Sequence, residues 1–193
     1  MALDSPLHPP VPNLLVSSDS ALSGAMNSPT RGWLPQVVYV PRSKWKSATG
    51  RSLPPNPAIM FDYAGHSQQG VSMRAIHHGS APQLEGSDDP VLQHTGLQTI
   101  TLRIIWPGYE YIDFSRAIEI ALPSGPITRS ELAAAVSANF CRFLEKVKCS
   151  PSTGTSWTVG VGGIRFEHLV LVSLINTWEN VWQAAVAIDV KPT

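Results

Sequence analysis

Three groups of side chains are of the types that do chemistry. His66, His77, His78 and His94 share a loop-rich stretch with Asp62, Asp88 and Asp89, and imidazole with carboxylate is a metal-ligand set. Their spacing argues against a metal centre. No His-x-x-x-His or Cys-x-x-Cys pair occurs, and adjacent His77 and His78 would point to opposite faces of a strand. Ser43-Lys44-Trp45-Lys46 fits Ser-x-x-Lys, but its partner strings Ser-Asp-Asn and Lys-Thr-Gly are missing, as is Gly-x-Ser-x-Gly. Cys141 falls inside a helical pattern, an awkward place to present a nucleophile, and His168 opens a strand and reads as structural. Gly160-Val161-Gly162-Gly163 has Arg165 where a dinucleotide fingerprint needs its third glycine, and a strand pattern follows instead of a helix. The sequence therefore implies no catalytic residue, no metal and no cofactor.

Two patches have binding character instead. Arg42, Lys44, Lys46 and Arg51 surround Trp45, and cations interleaved with an aromatic ring suit a nucleic-acid strand. Binding a polyanion also needs a cationic field. The chain has 14 basic and 14 acidic residues and a net charge of zero. The balance also holds in each half, six against six over 1–96 and eight against eight over 97–193. Weak nucleic-acid binding is thus an alternative reading. The second patch is aromatic. Trp106 continues a strand face and belongs in a core, whereas Tyr109, Tyr111, Trp178 and Trp182 flank turns. Large aromatics near turns are candidates for a recognition surface.

The elements that must position these residues lie mainly in the second half. Of 17 prolines, 12 fall in 1–96. Residues 1–32 form a Pro/Ser-rich stretch expected to be disordered or loosely packed, leaving 33–193 as a single domain. Residues 36–40 read as a short strand stopped by Pro41, and 58–63 and 71–76 as a hairpin. Residues 99–106 alternate, with Ile100, Leu102, Ile104 and Trp106 on one face, and end at Pro107-Gly108. Residues 117–122 alternate again. Thr128-Arg129-Ser130-Glu131 is a capping box, with Ile127 and Leu132 placed as a hydrophobic staple. Leu132, Val136, Phe140, Phe143, Leu144 and Val147 then form one apolar stripe, which predicts a helix over 129–148. Residues 157–163, with three glycines, read as a loose strand or bulge. Residues 169–175 read as a central strand covered on both faces and 182–190 as a last strand. The fold class is α+β: an antiparallel sheet of four to six strands with one amphipathic helix on one face, in the order ββαββ through the C-terminal half.

The first residues lack the basic and apolar regions of a secretory signal, and the longest apolar run, 169–175, is too short to span a membrane. Cys141 and Cys149, eight residues apart on one helix, stand too far apart to bridge. Unbridged thiols suit a reducing interior, cytoplasmic or nuclear.

Leu102-Arg103-Ile104-Ile105-Trp106-Pro107-Gly108-Tyr109-Glu110, Ile127-Thr128-Arg129-Ser130-Glu131-Leu132-Ala133 and the closing Leu169-Val170-Leu171-Val172-Ser173-Leu174 are distinctive strings. Together with Ile59-Met60-Phe61-Asp62-Tyr63 and Asp88-Asp89-Pro90-Val91-Leu92 they resemble an uncharacterised basidiomycete (mushroom-forming fungal) protein family over about 58–190. Members carry Ser-Trp-Gln-Pro near the end, where this chain has Val181-Trp182-Gln183-Ala184, a departure. The resemblance implies a eukaryotic intracellular setting and a stand-alone domain, and assigns no site residue. Composition, motifs and resemblance together predict a non-enzymatic protein or peptide interaction module, with a protein partner or self-association. A small hydrolase- or transferase-like enzyme is the rival.

Overall fold

The computed structural model describes residues 30–41, 56–154 and 156–190. Most of the Pro/Ser-rich stretch, and all five residues of the cationic patch (Arg42, Lys44, Trp45, Lys46 and Arg51), lie outside the described residues. The fold is α+β, with a sheet-dominated core and one main helix.

Two long strands dominate the sheet, β8 (Leu169–Trp178) and β9 (Val181–Asp189), paired antiparallel. Each has an outer edge covered by two short strands in succession. On β8 these are β2 (Ile59–Met60) and β3 (Val71–Ser72), both antiparallel to it. The expected hairpin of 58–63 with 71–76 is therefore corrected: the two segments follow one another along β8 instead of pairing together. Asp62 folds the chain between them, its Oδ1 accepting from the N–H groups of Gln69 (2.9 Å) and Gly70 (3.0 Å). After β3 the chain turns into a short helix, α1 (Met73–His77), capped by the Ser72 hydroxyl.

The outer edge of β9 takes β4 (Thr99–Ile104) at one end and β1 (Arg31–Trp33) at the other. β4 runs parallel to β9, so the sheet is mixed, and with β5 (Phe114–Glu119) antiparallel beyond β4 it has seven strands. A purely antiparallel sheet of four to six strands is corrected on both counts. The order in this half also carries an extra hairpin between β5 and the helix, β6 (Ala121–Leu122) with β7 (Gly125–Pro126).

The strand expected at 36–40 is absent, and β1 precedes it. Pro35 and Pro41 lack N–H donors and interrupt a regular ladder. Glutamine side chains make the contacts instead. Gln36 Nε2 donates to Ala184 O (2.6 Å), and Gln183 bridges back, with Nε2 to Val37 O (3.1 Å) and Oε1 from Tyr39 N (2.7 Å).

The main core lies between the sheet and α2 (Arg129–Val147). The capping box is formed, with Thr128 N donating to Glu131 Oε2 at 2.8 Å and Glu131 N to the Thr128 hydroxyl at 3.3 Å. The apolar stripe from Leu132 to Val147 is buried against the sheet. The continuous apolar run of β8 follows from a bulge. A register shift between Leu171 and Ser173 changes which parity faces α2, so Leu169, Leu171 and Leu174 enter the main core. Val170 and Val172 pack on the opposite face with Ala187, Trp33 and Met60.

The tight β8–β9 turn is held by Asn176, whose side chain is fully buried. Its Nδ2 donates to Glu179 O (2.8 Å) and Val181 O (3.0 Å), and its Oδ1 accepts from Asn56 Nδ2 (3.0 Å). Asn176→Ala removes the donor to Glu179 O and the acceptor of Asn56 Nδ2, and leaves Val181 O the longer Thr177 Oγ1 contact at 3.4 Å; losing hydrogen bonds of a buried side chain costs about 1–3 kcal/mol. Urea denaturation of this variant should show a loss of about 2 kcal/mol; a midpoint equal to wild type would refute the clamp. Glu131 makes a second, pH-dependent prediction. Hydrogen bonds from the Thr128 backbone and then its hydroxyl hold its carboxyl below the ordinary 4.5. With the folded value depressed, its contribution is complete above the ordinary unfolded value and is lost as pH falls through the folded one. Glu131→Gln should therefore lower stability modestly at neutral pH and make little difference in acid, which flattens the acid limb of the stability–pH curve. An unchanged limb would contradict the capping role.

Candidate functional site

The Trp-Pro-Gly-Tyr-Glu string at the end of β4 is a packing device. Trp106 is fully buried beside Phe143 of α2, ring centroids 5.8 Å apart, and its indole N–H donates to Trp157 O at 2.8 Å. Gly108 turns the chain with φ +85°, and a Cβ there would lie 2.6 Å from the Ser152 hydroxyl, so only glycine fits. Tyr109 is 1% exposed and its hydroxyl accepts from Val159 N at 3.2 Å. Tyr111, 55% exposed, donates its hydroxyl to Pro151 O at 2.6 Å. The turn after β4 is thereby fastened to Pro151, Trp157 and Val159.

This corrects the aromatic recognition surface. Tyr109, Trp178 and Trp182 are buried, at 1%, 6% and 0% exposure, and Tyr111 is the one member facing solvent. The reason is that both turns fold inward onto the core. Trp182 joins the main cluster, as Tyr109 does. The histidines are dispersed among loops and short helices: His66 Nδ1 sits 3.1 Å from Ala64 O, and the His77 ring meets Phe166 edge-on. Among the described residues no group of three His, Cys, Asp or Glu side chains is placed to hold a metal ion. Cys141 and Cys149 are both free thiols. No helix among the described residues is long and apolar enough to cross a membrane.

Two features remain as candidate sites. The first is the open edge of β5. Ile120 N donates to Gln98 O at 2.9 Å, which makes that pair the close-bonded one. By alternation Phe114, Arg116 and Ile118 bond to β4, and Ser115, Ala117 and Glu119 turn their N–H and C=O groups away from it. Thr101 N, of the matching parity in β4, indeed donates to Asn180 O, on the β9 side. Where β5 ends, a shallow groove of about 320 Å³ opens, lined by Leu92, Leu97, Ile120, Leu122 and Pro126 among others.

The second is a polar groove of about 490 Å³ at the open end of the β8–β9 hairpin. It is lined by Arg31 of β1, Ser72 of β3, Arg74 of α1, Arg165, Glu167 and His168 before β8, and Asp189 of β9, with Tyr63 and Gly70. No local spacing in the sequence connects these residues, which stand at 31, 72, 74, 165 and 189, and His168 alone reads there as a structural histidine.

Comparison with protein-family models, with curated proteins and with solved structures found no match to this chain.

Burial of Tyr109 makes a clear prediction. Tyr109→Phe should cost about 1–2 kcal/mol in chemical denaturation by stranding the Val159 N–H, while Tyr111→Ala should stay near about 0.5 kcal/mol, as surface changes do. Equal effects would contradict these placements.

Proposed function

We propose that the domain is a non-enzymatic protein-interaction module that takes an extended, acidic segment of a partner protein as an additional strand on β5. The observation that carries this is the β5 edge. Ser115, Ala117 and Glu119 turn their backbone groups outward, and none of these N–H and C=O groups has a hydrogen-bonded partner among the described residues. An unpaired edge is a template for main-chain pairing, which supplies affinity, while flanking side chains supply selectivity.

Charge around the edge favours an acidic strand. Arg116 sits 5.2 Å from the Phe114 ring centroid and Lys146 of α2 5.9 Å from it. Neither forms an ion pair among the described residues. Arg142, also exposed, precedes Lys146 by one helical turn and shares its face. Against these three cations stands Glu119, while Asp113 is engaged by Arg103 at 3.2 Å and Glu145 by Lys148 at 3.3 Å. An intracellular setting, which the free thiols suit, and membership of the basidiomycete family belong to the same proposal. The latter rests on the matched strings alone.

Ala117→Pro separates this from a general surface effect. Proline at an outward N–H of an edge strand is tolerated by the fold but removes a donor any added strand needs. A synthetic peptide of alternating Glu and Val should protect the amides of Ser115, Ala117 and Glu119 from hydrogen exchange. Ala117→Pro, at unchanged melting temperature, should weaken its binding at least about tenfold. Binding that survives Ala117→Pro, or a dimer formed through β5 by the chain alone, would overturn the reading.

A further inference from the structure

We propose that the polar groove at the open end of the β8–β9 hairpin is a binding site for a phosphate monoester or inorganic phosphate. The site is independent of β5, which lies at the other side of the sheet.

The groove presents donors, and its acceptors are already used. Arg31 is held in place by contacts that include Nε to Asp189 Oδ2 at 2.9 Å and Nη1 to Gln69 O at 2.7 Å. Arg165 pairs with Glu167 at 3.1 Å. Arg74 is exposed and has neither an ion pair nor a side-chain hydrogen bond among the described residues. Three guanidiniums against two carboxylates leave one net positive charge with His168 neutral. His168 Nδ1 accepts from Arg165 N at 3.2 Å, so the neutral ring carries its proton on Nε2 and donates there. The Tyr63 hydroxyl oxygen accepts from Ser72 N at 3.1 Å, leaving its O–H to donate elsewhere.

A ligand matched to this lining is anionic, compact and rich in acceptors. Phosphate meets those terms, since its oxygens accept from several donors and a guanidinium fork binds two of them at once. A cation is repelled by the net charge. The volume of about 490 Å³ leaves room for a small group esterified to the phosphate. Arg31 and Asp189 face each other in the β1–β9 ladder and Ser72 faces Val170 in the β3–β8 ladder, so sheet register sets the spacing of the walls.

Inorganic phosphate and, in a separate arm, glycerol phosphate should be titrated into the full isotope-labelled chain at constant ionic strength, with chloride as the reference anion. Saturable amide shifts are expected at Ser72, Arg165 and His168. Tighter binding of glycerol phosphate would identify the monoester as the ligand, and equal or weaker binding would identify free phosphate. Arg74→Ala should weaken binding about tenfold or more and remove the phosphate-induced rise in melting temperature, leaving the unliganded melting temperature unchanged. Lys148→Ala, at the exposed end of α2, should bind as wild type does. Non-saturating shifts in both arms, or an Arg74→Ala affinity equal to that of Lys148→Ala, would overturn the site.

Discussion

A β-hairpin of two long strands leaves two rows of backbone groups to satisfy, and that constraint organises this molecule. β8 and β9 pair along nearly their whole length. Buried N–H and C=O groups must find partners, so the outer row of each strand must be covered. Neither has a single long neighbour. β2 and β3 divide the outer row of β8, and β4 and β1 divide that of β9. Four short segments from distant parts of the sequence are thereby brought to one ribbon. The Asn176 clamp stands at its closed end, where it joins the turn to Asn56, and the neighbouring Asn180 carbonyl receives β4 through Thr101 N.

Local signals in the sequence were readable where an element stabilises itself. The helix Arg129–Val147 is marked at its start by a reciprocal side-chain cap and along its length by a 3.6-residue stripe, both encoded within twenty residues. Ile100, Leu102 and Ile104 alternate because β4 buries one face. What could not be read was pairing. Nothing in Ile59-Met60 says that it lies against Leu174 and Ser173. Two-residue strands carry no periodicity, so a hairpin with 71–76 was the local solution, and the long-range one prevailed because β8 had an edge to fill. The parallel β4–β9 contact is likewise a tertiary outcome, since strand direction leaves no mark in the composition.

The aromatic side chains show the same division. Position next to Pro-Gly or within a turn suggested exposure for Tyr109, Trp178 and Trp182, yet all three are buried. Turns are exposed as backbone, but a large side chain leaving a turn can still point inward. Tyr109 does so because its hydroxyl meets the Val159 N–H, a partner fifty residues on that no spacing rule supplies.

Division of the ribbon's edges also explains why charged groups collect at one end of it. At the closed end the turn is satisfied by Asn176 and by β4. At the open end Leu169 faces Ile188, β1 and β3 stop, and Arg31, Asp189 and Ser72 reach the rim through the register of their ladders. Side chains at a rim cannot all enter the core, and polar ones there can keep water or a ligand as a partner at little cost. Arg31 is the test of that argument within the structure. Its aliphatic stem crosses from β1 while its guanidinium is held by Asp189 and Gln69, so the charge is oriented before any ligand arrives. A preoriented cation loses less side-chain freedom on binding than a mobile one. Arg74 is unrestrained, so the groove joins one fixed charge to one that can close over a bound anion.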